Sequence, residues 1–421
     1  MEEIRYRDNR LYCEETFLED VARQFGTPLY VYSKSSLLDH CRHIERTFDD
    51  IEHLSCYAVK ANGNREILRL LANEGIGADA GSIGELVLSI EAGFLPEKIT
   101  FSGVGKGDDE IEFALRNNIH SFNVESEEEI NVISEIAERT WTMANILLRV
   151  NLDIQTPTHR YTSTGHKHSK FGIERDRALE IAKRISAFPG IKLIGIHSHI
   201  GSQITDAETF RNAANEVVAF IQELRSYGID IKDLNFGGGF GVQYHDFVSH
   251  PLLPNDGIQT DSGVTTVNLL KSILPVLKES NCRILIQPGR SIVAHAGVLL
   301  TKVLYIKESG GKKFIIVDAG MNDLIRPSLY QAYHQIAPLT LYQSTHELVD
   351  VVGPLCETGD FFAQDRTLPA VHRGDFLALL CAGAYGFALS SNYNGRQRPA
   401  EIMVDGSECS IIRNRETVQQ G

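Results

Sequence analysis

Residues 56–101 read CYAVKANGNREILRLLANEGIGADAGSIGELVLSIEAGFLPEKITF, and this stretch already sets the architecture. Short apolar runs (CYAV, GADA, KITF) alternate with REILRLLANEG and IGELVLSIEAGF, in which apolar residues recur at helical spacing. Both helical stretches run out at a glycine, a common helix stop. The alternation continues through SFNV near Phe122, ILLRV before Asn151, LIGIHSH before Ile200, DLNFGG near Phe236 and RILIQ before Pro288. EEEINVISEIAER and AETFRNAANEVVAFIQELRSYG are helical stretches among them. About eight strand–helix alternations without a hairpin signal predict a parallel sheet, and eight is the number that closes a (β/α)8 barrel of the TIM type. An open doubly wound sheet is the alternative.

Beyond Arg290 the texture changes. GVLLTKVLYIKESGGKKFIIVDAG reads as two strands around a glycine turn, and HELVDVVG, GDFLALLCAG and AEIMVDG are strand-like runs bounded by turn residues. TPLYVYS near Tyr30 reads the same way. The expected division is a barrel over 34–290 and a mainly β domain built from 1–33 and 291–421. The polar stretches Leu152–Ser169 and Val242–Gly263 look like excursions from the barrel, and loops of that length are often functional.

The chain has 421 residues with 43% hydrophobic and 23% charged content, enough for a large core and more than one domain. Its net charge of −14 argues against nucleic acid or an anionic membrane as the bulk partner. No apolar run approaches the ~18 residues that would cross a bilayer, and MEEIRYRDNRLYCEE is polar where a signal peptide needs a basic patch and an apolar stretch. Cys13, Cys41, Cys56, Cys282, Cys356, Cys381 and Cys409 are odd in number, widely spaced and without a CxxC pair. A disulfide framework or a cysteine-rich zinc site is disfavoured, and a reducing cytoplasm is expected. Most of these thiols read as small core hydrophobes, with Cys356 a candidate exception.

A barrel of this kind carries its function at the carboxyl ends of the strands. Those positions hold Lys60, Asp79, Arg149, His197 with His199, Gly237–Gly239, and Gln287 with Arg290. A lysine at a strand end is ordinarily solvated or ion-paired, but partial burial favours its neutral amine, which can form a Schiff base. Three consecutive glycines after a strand make a tight turn. They also let backbone N–H groups approach a phosphate. NFGGGFG is not GxGxxG with an acidic residue about 20 positions on, so a dinucleotide site is poorly supported. His-x-His could ligate zinc, but Lys60, Asp79, Arg149 and the glycines are a poor ligand set, and no metal is expected. An imidazole can instead stack on an aromatic cofactor while Ser202 bonds a phosphate. A Schiff-base lysine, a flat ring partner and a phosphate cradle together describe a pyridoxal 5'-phosphate site.

YAVKAN, GADAGSIGEL, HSHIGSQI, NFGGGFG, QPGRSIVA, GPLCETGD and GAYGFALSSNYNGR follow one another along the chain. In this order they resemble the fold-type III pyridoxal phosphate-dependent decarboxylases, from about Gly26 to Arg413. THRYTSTGHKHSKFGI and NDLIRPSLY resemble the branch acting on meso-2,6-diaminopimelate more than the ornithine and arginine branches. The resemblance implies an alanine-racemase-like barrel with a C-terminal β domain, and release of L-lysine and carbon dioxide as the last step of lysine biosynthesis. It implies that Lys60 holds the cofactor, His199 stacks on its ring, and Ser202 with Gly237, Gly238 and Gly239 holds its phosphate. Asp79, Arg149, the turn from Gln287 through Gly289 to Arg290, and Tyr385 also lie at the cofactor. It further implies a homodimer with shared active sites, in which Cys356 of the partner subunit is the proton donor. Arg290 and Arg326 can grip carboxylate by bidentate pairing. Glu357 can pair with the distal ammonium, and Tyr330 and Tyr385 offer hydroxyls. Taken without the resemblance, Cys356 ranks as a buried thiol, and Arg326 and Glu357 as surface ion-pair residues. His159–Lys170 is the segment expected to close over the substrate.

One position departs from the family. A glutamate usually precedes Pro-Gly-Arg, and this chain has Gln287. The missing negative charge counts for more in a low dielectric. The carbanion left by carbon dioxide is then expected to be less stabilised, and turnover slower than with glutamate. Two other readings stand beside this one: a decarboxylase of another basic or D-amino acid, which substitution at Arg290, Arg326, Glu357 or Tyr385 would favour although all four are present, and a catalytically weak relative that binds the cofactor or a protein partner, which Gln287 alone supports.

Overall fold

The computed structural model describes residues 3–154, 169–254, 265–342 and 345–417. Apart from Ser169 and Lys170, the segment His159–Lys170 lies outside them. Eight parallel strands form a closed ring: β1 His53–Ala58, β2 Gly77–Ala80, β3 Ile99–Phe101, β4 Ser121–Val124, β5 Ala144–Asn151, β6 Ile191–His197, β7 Asp233–Asn235 and β8 Arg283–Ile286. Each pairs with the next, and the ring closes where Ile284 of β8 lies opposite His53 of β1. The open-sheet alternative is thereby excluded. Strands covered on both faces read as continuous apolar runs, and Leu54 through Ala58 are all buried.

Parallel neighbours need long crossovers, and helices supply them. They include Arg65–Asn73, Ile83–Ala92, Glu127–Thr140 and Ala207–Ser226, where the helical spacing predicts them. Their starts are fixed by side chains that accept otherwise orphaned N–H groups: Asn64 from Glu66 N, Ser82 from Glu85 N, Ser126 from Glu129 N, and Asp206 from Thr209 N. At the start of β7, Asp233 accepts from His120 Nε2 and Arg283 Nη2, both at 2.8 Å. That network ties the amino ends of the strands together, away from the rim.

The second sheet runs in the order Phe361–Pro369, His346–Val352, Lys312–Val317, Gly297–Ser309, Leu29–Ser33, Ala400–Asp405, Glu408–Arg413. Gly310 and Gly311, at φ +59° and +80°, make the turn between Gly297–Ser309 and Lys312–Val317. The described parts of Met1–His40, Gln243–Ser262 and Arg290–Gly421 form one compact unit, and those of Cys41–Val242 and Gly263–Gly289 the other.

Candidate active-site residues

Two lysines stand near the carboxyl ends of barrel strands, and their surroundings differ. Lys106 has a side chain only 1% exposed, and its ammonium donates to Gly103 O, Asn123 O and Glu129 Oε1 at 2.6–2.9 Å. All three of its donors are used, which is a structural role. Lys60, two residues beyond β1, is exposed. Among the described residues its amine makes no hydrogen bond or ion pair, although its charge acts on Asp79.

Asp79 in β2 is the buried carboxylate of this rim. It accepts from Thr100 Oγ1 at 2.9 Å, Ser102 Oγ at 2.6 Å and Gln287 Nε2 at 2.8 Å. Burial raises its pKa, opposed by Lys60 and the two hydroxyls. A carboxylate only accepts, so the amide of Gln287 must turn its NH2 to Asp79 and its carbonyl toward His197 Nε2, 3.2 Å away. His197 Nε2 then carries the proton, and its buried Nδ1 has no partner among the described residues. His199 Nδ1 accepts from Gly238 N at 3.2 Å. Burial, then the Arg149 charge, holds both imidazoles well below their ordinary pKa, so both rings are neutral. Arg149 itself pairs with buried Glu125 at 2.6 Å. Sequence reasoning did not single out Glu125.

The glycine turn after β7 is required by the chain before any ligand is considered. A Cβ on Gly238 would stand 2.2 Å from Gln287 O, and one on Gly239 2.1 Å from Gly201 O. Gly237 and Gly239 also have φ of +71° and +96°, a region other residues avoid. Gly237 N donates to Asn235 Oδ1 and Gly238 N to His199, so two of the three amides are engaged internally. Gly289 is equally confined, with the Cβ atoms of Ala58 and Ala61 3.0 Å from where its own would be. Ser202 lies half-buried in the loop after β6.

The other unit holds a second set. Arg290 and Arg326 are 9% and 5% exposed, which corrects the reading of Arg326 as a surface residue. Arg290 Nη1 donates to Tyr244 Oη at 2.6 Å, and its guanidinium lies 4.9 Å from the centre of the Tyr385 ring. Tyr385 takes φ +57°, an uncommon backbone state for a residue with a side chain, and one that recurs at functional positions. Arg326 Nη1 donates to His334 Nε2 at 2.8 Å and stacks 4.7 Å from the Tyr244 ring centre. Among the described residues no carboxylate pairs with Arg326. Tyr330 ends the short helix Arg326–Tyr330 and is half-buried.

Cys356 and Glu357 are both exposed, so the core-thiol reading of Cys356 is corrected as well. The other thiols are buried or partly buried. Their loop is nonetheless held. Buried Asp360 accepts from Met321 N at 2.6 Å and Leu355 N at 2.7 Å, Cys356 N donates to Asn394 Oδ1 at 3.1 Å, and Ser328 Oγ donates to Gly359 O at 2.5 Å. The sequence gives no direct signal for Tyr244, His334, Asp360 or Asn394. Asp360 and Asn394 fall inside the quoted motifs GPLCETGD and GAYGFALSSNYNGR without being singled out, and Tyr244 and His334 lie outside the quoted motifs.

A barrel rim whose Lys60 makes no ion pair among the described residues, with a neutral imidazole beside a glycine turn, is an arrangement suited to a pyridoxal cofactor. The pyridoxal binding domain of the pyridoxal-dependent decarboxylases matches residues 34–294. The chain is 45% identical to the diaminopimelate decarboxylase of Aquifex aeolicus, over 98% of this chain and 95% of that protein. Diaminopimelate decarboxylase from Helicobacter pylori, solved with L-lysine, superposes with a TM-score of 0.88 at 38% identity, covering 96% of this chain and 97% of that one. The M. jannaschii enzyme, also with L-lysine, gives 0.90 at 35%, covering 99% and 95%. The chain belongs to the diaminopimelate decarboxylase family of pyridoxal-dependent decarboxylases. Among the described residues the rim fits the cofactor: an amine without an ion pair to bind its aldehyde, a neutral flat ring, a buried carboxylate, and buried polar atoms at His197 Nδ1 and Asn235 Nδ2 that have no partner there.

Proposed function

We propose that the protein decarboxylates meso-2,6-diaminopimelate to L-lysine and carbon dioxide, with pyridoxal phosphate held at the barrel rim. One observation carries the choice of substrate: Arg326 is buried beside Arg290, and no acidic residue among the described ones pairs with it. A buried charge without a counter-ion is costly, and a substrate carboxylate supplies the counter-ion. Diaminopimelate keeps a carboxylate at the end that does not react.

Lys60 would hold the cofactor, His199 lie flat against its ring, and Ser202 with Gly237–Gly239 take its phosphate. Asp79, Gln287, Gly289 and Arg149 would line the ring and its supports. When bound, the cofactor supplies an electron sink for the pair released from the Cα–carboxylate bond. Arg290 and Arg326 would bind the remaining carboxylate, with Tyr330 and Tyr385 as hydroxyl donors. Tyr385 and Arg290 also serve the cofactor in this reading. Cys356 would return a proton to the substrate carbon, and Glu357 would meet the distal ammonium.

A homodimer is part of this reading, with Cys356 and Glu357 acting on the active site of the second subunit. Both side chains are exposed on a loop whose backbone is pinned. Exposed Leu329 and Tyr393, at 41% and 46%, adjoin Ser328 and Asn394, which anchor that loop. We place the enzyme in the cytoplasm, where its seven cysteine thiols would stay reduced. Among the described residues no helix is long and apolar enough to cross a membrane.

The test is lysine release from meso-diaminopimelate by purified protein supplied with pyridoxal phosphate. Release is expected from the parent and none from Lys60→Ala. Retained cofactor without release would overturn the substrate assignment.

A further inference from the structure

Two of the buried arginines, Arg149 at the barrel rim and Arg326 in the β domain, are compensated in different ways. Arg149 faces the carboxylate of Glu125 at 2.6 Å. Arg326 faces the imidazole of His334, which is fully buried. The state of that imidazole follows from its two partners. Nδ1 lies 2.8 Å from Leu380 O, and a carbonyl only accepts, so Nδ1 carries the proton. Nε2 then has a free lone pair, which is what a guanidinium N–H requires. The Tyr244 ring completes the support, edge-on to His334 with centroids 5.3 Å apart and under the Arg326 guanidinium at 4.7 Å. Both contacts orient the planar fork of Arg326, and neither cancels its charge.

We propose that His334 is a positioning residue for substrate recognition: an uncharged acceptor that fixes the Arg326 guanidinium while leaving its charge for the substrate carboxylate. This rests on the reading of Arg326 as a carboxylate ligand. A glutamate in the place of His334 would satisfy the same N–H but would neutralise the guanidinium before substrate arrives.

The variants His334→Gln and His334→Glu are nearly isosteric and differ in charge. In the holoenzyme, KM for diaminopimelate, kcat and competitive inhibition by L-lysine separate the cases. The glutamine variant is expected to stay within about threefold of the parent in KM, because its amide can donate to Leu380 O and accept from Arg326. The glutamate variant is expected to raise both KM and the lysine inhibition constant by about tenfold or more, with kcat changed far less. Equal behaviour of the two variants, or a loss confined to kcat, would overturn the proposal. Arg326→Ala is run alongside. If it too leaves KM and lysine inhibition unchanged, the carboxylate role of Arg326 is what fails.

Discussion

Gln287 looks like a simple loss of charge in the sequence, and its neighbours change what that loss means. Its amide donates to Asp79 at 2.8 Å, so a carboxylate at 287 would stand against a carboxylate that is already buried. Two such groups in contact cannot both ionise without cost. In the cofactor-free protein, Gln287→Glu is therefore expected to lower Tm. The sign of its pH dependence follows from linkage: the crowded pair holds a proton that the unfolded chain gives up, so stability is lost as pH rises. The loss should be larger at pH 8 than at pH 5, by thermal melts of the variant and the parent. An equal loss of Tm at both pH values would show that repulsion between the two carboxylates carries no weight. Turnover of the loaded variant addresses a separate expectation, that glutamate stabilises the carbanion better than glutamine. Unchanged or slower turnover would remove it.

The loop Gly353–Asp360 shows how an exposed pair can still be placed accurately. One carboxylate, Asp360, collects two backbone N–H groups from different segments. Gly353 permits this, since a Cβ there would stand 2.4 Å from Asp360 Oδ2. In Asp360→Asn the new NH2 must face one of the two donors, leaving a buried N–H unsatisfied at about 1–3 kcal/mol. The expected result is a Tm lower by several degrees and kcat reduced about tenfold through misplacement of Cys356 and Glu357, measured with saturating cofactor. A parent-like kcat would show that Asp360 does not govern the loop. Periodicity could not reveal such a clip. The barrel strands were legible because burial on both faces leaves unbroken apolar runs, and their rim residues followed from strand ends alone. Two parallel pairings, of Lys312–Val317 with His346–Val352 and of Leu29–Ser33 with Ala400–Asp405, were not. They join segments far apart in the chain, and nothing local encodes the partner. Arg326 and Cys356 were misjudged by residue type for the same reason, since type gives the usual environment and only packing gives the actual one.

Across the molecule, buried groups pull stability in opposite directions as pH changes. Burial pushes the Asp323 carboxyl up to about 7, although it accepts from Gly320 N at 2.8 Å and Asn322 Nδ2 at 3.0 Å. The unfolded aspartate titrates near about 4. The folded state thus binds the proton more tightly, and the stability of the protonated form is lost as pH climbs from about 4 to about 7. His197, His199 and His334 act the other way. Burial, with nearby cationic arginines, holds them below the usual value, so acid favours the unfolded chain once pH falls under about 6.5. The two effects oppose each other between about pH 5 and 6.5 and flatten the profile of the parent. Asp323→Asn removes one of them, because an amide keeps an acceptor and does not ionise. The stability of the variant relative to the parent should therefore grow from pH 5 to about pH 7 and level off above it, by an amount on the order of a few kcal/mol, read as the difference in Tm. A difference independent of pH would show that Asp323 titrates in the fold as it does in the unfolded chain.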